Sequence, residues 1–234
     1  MRISVIDPVV GLDLGHSRAY FEEHRSADVA VEVVAIDEGP ASIESDLDIV
    51  SAAPAIVRRA REAAAGGADA VVINCFADPA LFASREAVRI PVVAPAQSAF
   101  ALAATLTDRF SVLGTTDRDA PFTRDLWRRY GHVERGASVR AVDLPVLSLG
   151  HDADELRRRL VAASRAAIEQ DGAGALILGC TAMSPHRRAL ADALAAEGHV
   201  GIPVIDPLAV ALRTAEMLVR LGLRASDATW PPYP

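Results

Sequence analysis

Lysine is absent from this chain: its basic side chains other than histidine are all arginine, 24 against 31 acidic residues, for a formal net charge of −7. An enzyme that holds pyridoxal phosphate as a Schiff base needs a lysine, so that chemistry is excluded. Aromatic residues are scarce, and no arginine-rich run is interleaved with them; together with the acidic balance this argues against a nucleic-acid partner. Apolar residues make up 51% of the chain, yet Asp, Arg or Gly breaks every run well short of the ~20 residues a membrane span requires. The opening Met1-Arg2-Ile3-Ser4-Val5-Ile6-Asp7 lacks the apolar stretch and cleavage site of a secretory leader, so a cytoplasmic protein with no membrane partner is expected. Cysteine occurs twice, as Cys75 and Cys180, each closing an apolar run; the two are expected to be thiols, not a disulfide framework. His16, His24, His132, His151, His186 and His199 show neither HxH nor HExxH spacing, and no metal site is expected.

What is present is an alternation of short β-branched runs with Ala/Arg/Glu-rich stretches of helical period, the pattern of parallel α/β units. Strands are predicted at Ile3–Ile6, Val29–Ile36, Ala70–Asn74, Val92–Ala94, Phe110–Gly114, Ser138–Leu144, Ala175–Leu178 and Val204–Ile205. Helices are predicted at Leu47–Ala65, Ala96–Leu106, Pro121–Tyr130, Ala153–Gln170, Pro185–Glu197 and Leu208–Leu221, each with an aliphatic stripe opposite charged residues.

Three segments recur in the same order. Ile3-Ser4-Val5-Ile6 returns as Phe110-Ser111-Val112-Leu113. Ala70-Val71-Val72-Ile73-Asn74-Cys75 returns as Ala175-Leu176-Ile177-Leu178-Gly179-Cys180. Ile90-Pro91-Val92-Val93-Ala94-Pro95 returns as Ile202-Pro203-Val204-Ile205-Asp206-Pro207. A duplicated α/β domain is expected: two lobes about a pseudo-two-fold, each a small parallel sheet flanked by helices, with the site in the cleft between them. Residues 1–96 with 208–234 would form the first lobe and 97–207 the second.

Ligands of parallel α/β sheets bind at the carboxyl ends of the strands, where both cysteines fall. A lone Cys after a buried strand is ordinarily a small core residue, but two at matched positions of a repeat suggest paired chemistry. Asp78-Pro79 and Ser184-Pro185 read as an N-cap followed by Pro at the first helical position, which would set each sulfur near a helix N-terminus and favour its thiolate. A thiolate and a thiol suit removal of an acidic proton next to a carbonyl on one face and its return on the other. Ser42, Asn74, Thr115, Thr116 and Thr181 are candidate donors to the substrate and its enolate, with Phe76 and Met183 as apolar walls. His186, at the start of the helix after Cys180, could tune that thiol but reads rather as a solvated helix-end residue.

At these residues the chain resembles the aspartate/glutamate/hydantoin racemase superfamily, and within it the hydantoin and allantoin racemase branch. Asn74-Cys75-Phe76-Ala77-Asp78-Pro79 is similar to the branch's Cys-Phe-Gly-Asp-Pro signature, Leu178-Gly179-Cys180-Thr181-Ala182-Met183 to its Leu-Gly-Cys-Ala-Gly-Met, and Gly39–Ser45 to its loop after the second strand. The resemblance implies two lobes, one catalytic cysteine from each, no cofactor, and a cyclic ureide such as a hydantoin or allantoin as substrate. Two positions depart from it: Asp7-Pro8-Val9-Val10 stands where the branch has Asn-Pro-Asn-Thr, and Ala182 where amino-acid racemases have His. Retention of both cysteines disfavours the superfamily's decarboxylases. An Asp/Glu racemase or a maleate-type cis–trans isomerase is the alternative enzyme, and a small-molecule-binding regulatory protein the non-enzyme alternative. A homo-oligomer acting on a small-molecule substrate is expected.

Overall fold

The computed structural model describes residues 1–11 and 13–233. Two all-parallel sheets of four strands form its frame. In the first, β1 (Arg2–Asp7) and β3 (Ala70–Ile73) are central, with β2 (Ala30–Ala35) and β4 (Val92–Val93) at the edges, in the order β2-β1-β3-β4. In the second, β5 (Phe110–Gly114) and β7 (Ala175–Leu178) lie between β6 (Gly136–Ala141) and β8 (Val204–Ile205), in the order β6-β5-β7-β8. The helices are α1 (Leu14–His24), α2 (Asp46–Ala65), α3 (Leu81–Ala87), α4 (Pro95–Leu106), α5 (Asp119–Tyr130), α6 (Ala153–Glu169), α7 (Arg187–Ala196) and α8 (Pro207–Arg220). The chain divides into two compact units, Met1–Pro95 with Ala211–Pro234, and Ala96–Val210.

The central strands read as near-continuous apolar runs, interrupted only by Ser4 in β1 and Ser111 in β5 apart from their ends, because helices cover both faces of a parallel sheet. Ile3, Val5, Ile6, Val71, Val72 and Ile73 are buried in the first unit, and Phe110, Val112, Leu113, Leu176, Ile177 and Leu178 in the second. The repeat is reproduced bond for bond within each unit. Asn74 N–H donates to Ile6 O at 2.8 Å and Gly179 N–H to Leu113 O at 2.7 Å; Ile36 N–H donates to Asp7 O at 3.1 Å and Val142 N–H to Gly114 O at 3.0 Å. Val71 N–H reaches Pro91 O and Leu176 N–H reaches Pro203 O, both at 2.9 Å, so the two prolines end equivalent connections into the edge strands.

Strands β5, β7 and β8 coincide with the expected segments. β6 instead starts at Gly136, where a side chain would meet the Trp127 ring at 2.4 Å, and ends at Ala141. Beyond it Leu144 N–H still donates to Thr115 O, but Asp143 is left-handed (φ 55°) and breaks the pleat. Two helices escaped the reading. α1 buries only Phe21 and shows no apolar stripe; it is held by the Asp13 side chain, which accepts from Gly15 N–H, and by Tyr20 stacked on His24. α3, seven residues long, is too short to display a period.

Gly179 packs the end of β7 against β5: a Cβ there would lie 2.6 Å from Leu113 O, a backbone atom that cannot step aside. Gly179→Ala should therefore lower stability by about 1–3 kcal/mol through overpacking. Urea unfolding should give a lower midpoint with an unchanged slope.

Candidate functional site

Each cysteine stands two residues beyond the end of a central strand. Asn74 makes the last ladder contact of β3 with β1; Cys75 N–H then folds back to Ile73 O (2.9 Å), and Cys75 O accepts from Asp78 N–H at 3.1 Å. In the second unit Gly179 makes the corresponding contact and Cys180 O accepts from Met183 N–H at 3.0 Å. Both cysteines are half-buried at the carboxyl ends of their sheets, and neither is in a disulfide.

The helix caps expected after them do not form. Asp78 is buried in the left-handed region (φ 48°), incompatible with the extended backbone of an N-cap; α3 begins only at Leu81, preceded by left-handed Ala80 with no side-chain cap. α3 thus starts six residues after Cys75, later than a cap at Asp78 would place it. After Cys180 the chain enters a 3-10 turn, Thr181–His186, with Pro185 inside it, and α7 starts at Arg187. Ser184 caps nothing: its hydroxyl donates to buried Asp206 Oδ1 at 2.6 Å, which also accepts from Leu208 N–H at 3.0 Å and Ala209 N–H at 3.3 Å. His186 is half-buried, and burial holds its imidazole below the usual pKa.

The predicted site residues fall into two groups, one per unit. In the first, Asn74, Cys75 and Phe76 follow β3, and Ser42 lies in the loop after β2. That loop is tied to the end of β1 by Val10 N–H on Pro40 O (3.0 Å). The Ser42 hydroxyl donates to Glu44 Oε1 at 2.9 Å, and Phe76 is buried. In the second, Thr116 and Thr181 are half-buried beside the ends of β5 and β7. Two expectations are corrected. The Thr115 hydroxyl donates to Asp119 Oδ2 (2.9 Å) at the start of α5, so it is no free donor for a substrate. Met183 is fully buried in the aliphatic core with Leu113, Leu178 and Leu190, because the turn after Cys180 points its side chain inward; it lines no surface.

One residue noted above only as a departure from the branch, Asp where it has Asn, is hydrogen-bonded to the first of these groups. Asp7, the last residue of β1, is 1% exposed, and its Oδ1 accepts from Asn74 Nδ2. Burial pushes its carboxyl up to about 6 against the opposing hydrogen bonds from Ser17 and Asn74. Asp7 Oδ2 and Asn74 Oδ1 are both buried with no hydrogen-bond partner. An unmet buried acceptor costs about 1–3 kcal/mol. The equivalent positions of the second unit are Gly114 and Gly179, which carry no such groups. Among the described residues no three His, Cys, Asp or Glu side chains converge as a metal site, and no helix is long and apolar enough to cross a membrane.

A model of the Asp/Glu/hydantoin racemase family matches residues 17–215. The hydantoin racemase of Rhizobium meliloti is 40% identical over 195 residues, 83% of this chain and 78% of that protein. The hydantoin racemase of Pseudomonas sp. (strain NS671) is 34% identical over 236 residues, 100% of this chain and 92% of its own length. The solved structure of allantoin racemase from Klebsiella pneumoniae matches with a TM-score of 0.89 at 32% identity, covering 100% of this chain and 94% of that one.

The raised Asp7 carboxyl has a consequence for stability. Between the unfolded value of 3.8 and about 6 the native state holds a proton that the unfolded state has lost, so the protein loses stability as pH rises through that window. Asp7→Asn removes the ionisation. Its stability relative to the parent should improve by up to about 3 kcal/mol between pH 4 and pH 8, as read by denaturant unfolding at the two pH values. No relative gain at pH 8 would show that Asp7 ionises freely.

Proposed function

Because the chain belongs to the Asp/Glu/hydantoin racemase family, and the relatives reported above are racemases and so isomerases, we propose that it racemises a 5-substituted hydantoin or a related cyclic ureide such as allantoin, with Cys75 and Cys180 as the proton-transfer pair and no cofactor. The observation that carries this reading is the equivalence of the two cysteines: each follows the last ladder contact of a central strand, and its carbonyl accepts from the N–H three residues on.

In the proposed reaction the thiolate of one cysteine takes the proton from the carbon next to the ring carbonyl. The electron pair moves onto the carbonyl oxygen as an enolate, and the thiol of the other cysteine returns a proton to the opposite face. The two sulfurs exchange protonation states, so the next turnover runs in reverse without resetting. Positioned acid–base groups contribute ~10²–10⁴-fold. Donors to the enolate oxygen supply a further share; Thr116 and Thr181 are assigned that role, and Thr115 is not.

The acceptors at Asp7 and Asn74 favour the ureide over the carboxylate substrates of the wider family. A hydantoin or allantoin ring brings N–H donors to two buried acceptors. Aspartate, glutamate or maleate would bring a carboxylate toward Asp7, which is mostly ionised above about pH 6, and like charges in a buried site repel. The names of the relatives agree with that preference. We further assign the protein to the cytoplasm, as a homo-oligomer acting on small molecules without nucleic-acid or membrane partners.

The test is solvent-deuterium exchange and optical rotation with each pure enantiomer of hydantoins and allantoin, and with aspartate, glutamate and maleate as the competing panel. Cys75→Ser and Cys180→Ser should each lower racemisation by about 10²-fold or more while retaining exchange of one enantiomer, opposite in the two variants. Full racemisation by either variant would remove the two-cysteine assignment, and turnover confined to the carboxylates would remove the ureide one.

A further inference from the structure

The Cys75 turn is not supported in the way the Cys180 turn is. After Cys180, Ser184 ties the 3-10 turn to Asp206 inside the second unit, and the ten-residue α7 buries Leu190 and Leu194. After Cys75, α3 is seven residues long, has no side-chain cap, and buries only Leu81 and Ser84, with the Ser84 hydroxyl unpartnered. A helix this short does not hold itself. Contacts from outside it do so, and many come from the far end of the chain.

Residues 224–233 follow α8 and lie along α3. The Trp230 ring stacks on Phe82 with centroids 5.5 Å apart and planes 21° apart. The Arg85 guanidinium carbon sits 5.0 Å from the Trp230 ring centroid and 5.6 Å from that of Phe82, while Arg85 Nε donates to Val92 O of β4 at 3.1 Å. Asp227 pairs with both Arg89 and Arg224, and Arg89 in turn donates to the last carbonyls of α3, Arg85 O at 3.1 Å and Glu86 O at 2.8 Å. Tyr233 N–H donates to Glu86 O at 3.1 Å. The segment is itself shaped by Thr229 N–H and Trp230 N–H on Ser226 O, at 3.1 and 2.9 Å.

We propose that residues 224–233 are a clamp on α3 that sets the position of the Cys75 thiol, with Trp230 as its positioning residue. The link is the connection Phe76–Ala80, in which Phe76 and Asp78 are buried and Asp78 and Ala80 are both left-handed. So constrained a segment has little slack, and a shift of α3 is passed to Cys75. The C-terminal segment belongs to the first unit, so the clamp acts on one of the two thiols. Its catalytic consequence rests on the proton-transfer reading of Cys75 given above; its structural consequence does not.

The experiment uses the full chain carrying Trp230→Ala, Trp230→Phe or Asp227→Asn, the last cutting the Arg89 tie while leaving the aromatic stack. Alkylation of each thiol by iodoacetamide, followed by peptide mass spectrometry, needs no substrate. In Trp230→Ala the rate at Cys75 should change several-fold and that at Cys180 should not, with Asp227→Asn intermediate and Trp230→Phe close to the parent. Racemisation should show kcat reduced by about 10- to 100-fold, since a displacement of about 1 Å suffices for the larger loss, with KM little changed. The enantiomer whose exchange is lost should be the one lost in Cys75→Ser. Equal alkylation changes at both thiols, or none, would overturn the clamp. A change confined to Cys75 with no matching loss of exchange would leave the clamp standing and overturn the proton-transfer role of Cys75.

Discussion

The placement of every group discussed above depends on one backbone contact made twice: the N–H of the residue before each cysteine donates to the carbonyl next to the end of the neighbouring central strand, Asn74 to Ile6 and Gly179 to Leu113. This is the last contact of a parallel ladder whose strands are buried on both faces. A register slip would bury polar residues in place of Val and Ile, so the ladder ends where the apolar run ends. The chain must then turn, and the cysteine is the residue at which it does so. Because the contact is between neighbouring strands of one sheet, each unit sets its own cysteine without reference to the other.

The units share this frame and differ in what surrounds it. Asp7 and Asn74 stand where the second unit has Gly114 and Gly179. The glycines let β5 and β7 close tightly, to the point that Gly179 has no room for a methyl group. The first unit instead places a carboxyl and an amide there, one hydrogen bond between them and two acceptors unmet. Unmet buried acceptors are a standing cost, and the raised Asp7 pKa is the same cost seen in protonation. A duplicated fold has thus produced two unequal neighbourhoods, polar beside Cys75 and tightly packed beside Cys180.

The strands and the repeat were legible because both are local: β-branched runs bounded by Gly, Pro or Asp, recurring in order. What escaped is decided by partners distant in sequence or by burial. Asp78-Pro79 and Ser184-Pro185 carry the local signature of helix starts, yet Ser184 is taken by Asp206, and Asp78 is turned left-handed beneath α3. Asp7 is 67 residues from the Asn74 amide that makes it part of the site. Thr115 could have been recognised, since Asp119 four residues on is a natural partner across the first turn of α5. Of the motif residues, Met183 looked like a wall because it neighbours Cys180 in sequence; the turn that exposes one buries the other.

The inequality of the two neighbourhoods bears on how a racemase built this way must behave. Enantiomers in an achiral solvent have equal free energy, so the equilibrium constant is one and kcat/KM must be the same in both directions, however different the two thiols are. Asymmetry therefore cannot appear in that ratio. It is confined to the separate values of kcat and KM, and to the protonation state in which the free enzyme rests. Asp7 is hydrogen-bonded to Asn74, the residue before Cys75, so its carboxyl belongs to the surroundings of that cysteine, while the second unit has only glycines at the equivalent positions. On the proposed mechanism the two half-reactions therefore meet different surroundings, a carboxyl and an amide on the Cys75 side and glycines on the Cys180 side.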